Sequence, residues 1–192
     1  MSDPIKLPPI PNSVVEAYNQ IKTFEPVIKA VAAAKDEEER TLKDQVEITE
    51  IEAAPFHEED RAKDFAQRLK DLGLTNVRID QEGNVIGIRP GTGNGPRLAL
   101  GAHLDTVFPM GTNVKVRREG NKFYAPGISD DARGLAVILE VLRTLQEQKI
   151  ETVGDILFTA TVGEEGNGDL RGSKYLFKSK EEHIDGFISV DS

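Results

Sequence analysis

Four places in the sequence set carboxylates or an imidazole where chemistry can use them: His103-Leu104-Asp105, Asp130-Asp131, Glu164-Glu165 and Asp191. Each follows a short apolar run or a glycine turn, the pattern of a strand end or a helix start. In an open parallel sheet the carboxyl ends of the strands converge on one crevice, where ligands bind. Carboxylates gathered there with one histidine repel each other unless a cation holds them. The residue types therefore point to metal. With no cysteine and only three histidines in the chain, the ligands must be imidazole and oxygen, and a zinc site must be rich in carboxylates.

Neighbours within each motif suit different tasks. In an extended segment His103 and Asp105 share a side, and Asp105 is expected to accept a hydrogen bond from the imidazole and fix its tautomer. One of Asp130 and Asp131 suits the N-cap of the apolar helix that follows, but capping explains two aspartates less well than one. Glu164 and Glu165 are adjacent like charges, unfavourable unless one binds metal while the other stays a general base. His57 reads as a helix-start residue and His183 as a solvated one. Two glycine-rich stretches are decoys. Gly91-Thr-Gly-Asn-Gly95 precedes a strand and is a turn, and the carboxylates in Gly163-Glu-Glu-Gly-Asn-Gly168 would repel a pyrophosphate. No Gly-x-Ser-x-Gly elbow occurs, which argues against a serine hydrolase.

The segments Leu100–Val107, Gly127–Gly134, Thr161–Gly166 and Ser189–Asp191 resemble, in order, the four metal-site motifs of the di-zinc aminoacylase and carboxypeptidase family. That family includes tripeptidase T, glutamate carboxypeptidase and succinyl-diaminopimelate desuccinylase, and the resemblance covers roughly residues 45–192. It implies two Zn2+ ions, replaceable by Co2+ or Mn2+. His103 and Asp191 would ligate one ion and Glu165 the other, with Asp130 bridging both and joined to Asp131 by a cis peptide. It also implies catalytic roles for Glu164, as the base, and for Asp105. The expected reaction is hydrolysis of a small peptide, or alternatively deacylation of an N-acyl amino acid. Family members are longer, with a lid or dimerisation domain after the fourth motif and a final histidine ligand beyond it. The chain is accordingly expected to be an N-terminal portion of a homodimeric enzyme, nearly inactive alone. A truncated, non-catalytic metal-binding domain is the reading from another class.

These residues need a scaffold, and the pattern supplies one. The arm 1–12 is proline-rich, and Val14, Val15, Tyr18, Ile21, Ile28 and Val31 recur at helical spacing with a break at Pro26. Lys35–Lys43 is a charge run that reads as a solvated helix face or loop. A helix is expected from Phe56, with Ala62, Phe65, Ala66 and Leu69 inward and Gly73 as its stop. Residues 77–80 and 85–89 read as a hairpin, residues 97–102 as a short buried strand, 155–162 and 186–190 as further strands, and 132–145 as an apolar helix. The expected fold is α/β, a mainly parallel sheet sandwiched by helices. A helical extension over 1–44 would precede the catalytic part, 45–192. Apolar content of 38% is enough for a packed core at this length. A net charge of −9 argues against nucleic acid and acidic membrane surfaces as partners. The N-terminus lacks the order of a secretory signal, so the cytoplasm is the expected compartment.

Overall fold

The structure is a computed structural model describing residues 9–179 and 181–191. Most of the proline-rich arm, residues 1–8, lies outside that range. In chain order the elements are α1 (Asn12–Thr23), α2 (Glu25–Asp36), α3 (Glu38–Thr49), α4 (Glu59–Asp71), β1 (Thr75–Ile79), β2 (Val85–Arg89), β3 (Leu98–His103), β4 (Arg117–Glu119), β5 (Lys122–Tyr124), α5 (Ala132–Glu147), β6 (Ile156–Thr161), α6 (Arg171–Lys178) and β7 (Gly186–Ser189). The break foreseen at Pro26 falls at Phe24, whose extended backbone separates α1 from α2; the proline then sits in the first turn of α2, where its missing N–H is harmless.

Five strands form one sheet in the order β1-β2-β6-β3-β7. β3 is flanked by β6 and β7, both parallel to it, while β1 and β2 form the expected antiparallel hairpin, whose β2 pairs antiparallel with β6. Side chains alternate across the sheet as the pleat requires. Ile156, Phe158 and Ala160 of β6 face α4 and α5, where Phe65, Leu69, Leu135, Ile138, Leu139 and Leu142 complete the main core. Leu157 faces the other side with Ile86, Ala99 and Leu176 of α6. Helices thus cover both faces, as the sequence pattern implies.

Three local expectations need correction. The helix foreseen from Phe56 begins at Glu59. Phe56 takes a left-handed backbone (φ 66) in a turn closed by His57 N–H donating to the Ala54 carbonyl at 2.9 Å, so His57 lies in the turn and not on the helix. The charge run is not simply solvated: Arg40, on α3, reaches Glu140 and Glu147 of α5, each at 2.8 Å. The β4–β5 hairpin, outside the main sheet, was not foreseen, because its short, mostly exposed strands show no buried alternation.

Candidate metal centre

Strand register brings the four motifs together. His103 ends β3 opposite Thr161 of β6, and Gly101 lies opposite Ser189 of β7, so the chain after β7 runs on beside His103. Val190 N–H donates to the Gly101 carbonyl at 2.8 Å, which carries Asp191 to the same edge. After β6, Val162 and Gly163 lead into Glu164-Glu165. These are carboxyl ends of three parallel strands, where the topology concentrates ligand sites.

The His103 side chain is 3% exposed. Its Nε2 lies 2.8 Å from Asp130 Oδ1 and 3.9 Å from Asp191 Oδ1. Its Nδ1 lies 3.0 Å from the backbone carbonyl of Asp105; a carbonyl only accepts, so Nδ1 carries the proton. The tautomer is therefore set by the Asp105 main chain. The carboxylate expected to do this stands farther off, at 3.5 Å. Fully buried, it accepts the amides of Glu164 and Glu165 instead, both at 2.9 Å, and so ties the first motif to the third.

The two aspartates divide their work. Asp131 is fully buried and caps α5: Oδ1 accepts Gly134 N–H and Oδ2 accepts His103 N–H, both at 3.0 Å. Asp130, 49% exposed at its side chain, turns to the His103 ring, and the peptide joining the pair is cis. Capping thus accounts for Asp131 and leaves Asp130 for the crevice. His57 and His183 stay out of the cluster; His183 Nε2 pairs with Asp185 at 2.9 Å on the surface.

Donor atoms of His103, Asp130 and Asp191 all lie within 4.8 Å of one another, as do those of His103, Glu164 and Glu165. Burial pushes the His103 pKa down, but Asp105, Asp131 and Asp130 outweigh it and raise it to about 9. Burial raises Asp131 to about 7. Burial also raises Glu165, helped by the charge of Asp130 beside it. Several carboxylates compete here for one imidazolium, which makes the cluster suited to a cation. One imidazole with oxygen donors and no sulfur fits Zn2+ and harder divalent ions.

Two positioning features escaped the sequence reading. One is the second hydrogen bond of Asp131, to the His103 amide. The other is Arg61, a charge in the inward-facing stretch of α4 among Ala62, Phe65 and Leu69. That placement was a signal available in the sequence.

Residues 99–191 match the sequence model of Peptidase family M20/M25/M40. Carboxypeptidase G2 from Pseudomonas sp. is 34% identical over 169 residues, covering 83% of this chain and 40% of the relative. A succinyl-diaminopimelate desuccinylase from Corynebacterium glutamicum is 29% identical over 136 residues, covering 71% and 36%. Among solved structures, a tripeptidase from Staphylococcus aureus superposes with a TM-score of 0.68 at 29% identity, covering 81% of this chain and 43% of its own. The chain spans about two fifths of the length of these curated relatives. Motif order, fold and similarity agree, and the chain belongs, through residues 99–191, to peptidase family M20/M25/M40.

Proposed function

We propose that the chain carries the metal-binding part of a cytoplasmic, zinc-dependent hydrolase of peptide or amide bonds. The convergence of one buried imidazole with four carboxylates at the ends of three parallel strands carries this reading. Carboxypeptidase and tripeptidase relatives support a small peptide as substrate. The desuccinylase relative keeps an N-acyl amino acid as the second reading. Homodimerisation of the whole protein belongs to the same proposal.

In this reading His103, Asp130 and Asp191 would hold one divalent ion, and Asp130 with Glu165 a second, Zn2+ or in its place Co2+ or Mn2+. Such ions, when bound, supply Lewis acidity to a substrate carbonyl. The remaining chemistry belongs to the chain. The Asp105 carbonyl keeps the proton on Nδ1 of His103 and leaves Nε2 to the ion. The Asp105 carboxylate holds the Glu164-Glu165 backbone by both amides. Glu164, which the ligand set does not use, accepts a proton from water at its carboxylate and returns it to the leaving amine.

The test is metal uptake with turnover. Chelator-stripped protein titrated with Zn2+ should bind it, and His103→Ala or Asp130→Asn should weaken binding sharply. In a full-length relative bearing the four motifs, hydrolysis of dipeptides, tripeptides or N-acyl amino acids should vanish on chelation and return with Zn2+. Uptake indifferent to both substitutions, or hydrolysis indifferent to chelation, would overturn the proposal. Zn2+ binding with no hydrolysis in any full-length relative bearing the four motifs would favour the non-catalytic domain.

A further inference from the structure

Arg61 has no exposed surface, and among the described residues its guanidinium bonds only to main-chain carbonyls. Nε and Nη2 donate to Ile51 at 3.1 and 2.6 Å, Nη1 donates to Leu104 at 2.7 Å, and Nη2 lies 3.5 Å from the Thr49 carbonyl. Among the described residues no carboxylate hydrogen bonds to it; Asp105, Asp131 and Asp64 act on it only through space. A buried cation without a bonded anion is rare, because desolvating the charge is unfavourable.

What it holds is specific. β3 ends at His103, so Leu104 lies just past the strand. The Leu104 N–H is still taken by the Thr161 carbonyl at 2.7 Å. Its own carbonyl is taken by Arg61. That carbonyl belongs to the peptide entering Asp105, whose main chain receives His103 Nδ1 and whose carboxylate receives the Glu164 and Glu165 amides. Rotation of this one peptide would disturb both halves of the centre.

We propose that Arg61 is a positioning residue for the metal centre: it clamps the Leu104 carbonyl, so that His103 presents Nε2 to the ion and Asp105 holds the Glu164-Glu165 turn. The proposal rests on the metal reading above, although the clamp itself can be read without metal. A lysine keeps the charge but has no planar fork to span the Ile51 and Leu104 carbonyls together.

The full chain would be compared as wild type, Arg61→Lys and Arg61→Met by three measurements: thermal unfolding, Co2+ affinity by calorimetry, and 15N–1H spectra of the His103 imidazole without metal. Loss of a partner behind a metal ligand typically weakens affinity about 10–100-fold. Arg61→Lys should stay folded, bind Co2+ about tenfold or more weakly, and shift the His103 Nδ1–H signal; Arg61→Met should weaken binding further. A folded Arg61→Lys protein with unchanged Co2+ affinity and an unchanged Nδ1–H signal would overturn the proposal and leave Arg61 as a loop tie only. Wild-type protein that binds no Co2+ would overturn the metal reading alone, and the Nδ1–H comparison would still decide the clamp.

Discussion

Asp130 and Asp131 share a peptide bond, yet one is half exposed beside the His103 ring and the other is sealed beneath it, bonded to two amides. The sequence suggested that capping explains two adjacent aspartates less well than one. It could not say that the cap also carries the His103 backbone, because that contact joins residues 28 apart in sequence. Asp105 teaches the same lesson more sharply. Its local partner, His103, was the natural expectation, but its carboxylate bonds to amides of the third motif, 59 and 60 positions away. Two predictions belong at this scale. A Cβ on Gly134 would lie 2.2 Å from Asp131 Oδ1, so Gly134→Ala must displace the capping carboxylate from one or both amides. Stability should fall by about 1–3 kcal/mol, and Zn2+ affinity roughly tenfold, read by urea unfolding and calorimetry; a Gly134→Ala variant of wild-type stability and affinity would mean that Asp131 holds nothing. In a longer relative bearing these motifs, the substitution corresponding to Glu164→Gln should keep metal bound and lower turnover about 10²–10⁴-fold, the usual contribution of a general base. Near-normal turnover there would assign the proton transfer to another group.

Helices and strands were legible wherever burial imposes a period. Ala62, Phe65, Ala66 and Leu69 on α4, and Leu135, Ile138, Leu139 and Leu142 on α5, give the helical repeat directly. The β4–β5 hairpin has no buried side chain and left no such trace. α3 is the instructive case. The run Lys35–Lys43 reads as solvated, yet the residue after it, Asp44, is buried between Arg68 of α4, at 2.8 Å, and Arg143 of α5. Charges that tie three helices together have the same composition as charges facing water, so sequence alone cannot separate them. Asp44→Ala would leave two largely buried guanidinium groups without their shared partner. Breaking such a buried pair typically destabilises by about 3 kcal/mol. Lys29→Ala removes only an exposed pair, with Glu25 of the same helix, and should shift stability by about 1 kcal/mol or less. Urea midpoints of both variants, measured side by side, check the ranking; equal midpoints would place the Asp44 network effectively in solvent.

At the scale of the whole molecule, the candidate centre is where separate parts of the fold meet. His103 closes β3, Asp130 precedes α5, Glu164 and Glu165 follow β6, and Asp191 follows β7. Those segments are far apart in sequence, and hydrophobic packing between the helices and the sheet brings them together. The same convergence sets like charges against each other in a chain already at −9. A cation bound there should therefore stabilise the native state, because the site exists only once strands β3, β6 and β7 are in register. Mass action gives the size: at a free-ion concentration of 100 times Kd the gain is about 2.7 kcal/mol. For a chain of this length that corresponds to a rise of roughly 5–10 °C in Tm. Calorimetric scans of chelator-treated and Zn2+-loaded protein would measure it, with Asp130→Asn and Asp191→Asn as controls that should lose most of the rise. A wild-type Tm indifferent to Zn2+ would remove the metal from the centre. An equal rise in both variants would move it to other carboxylates of this acidic chain.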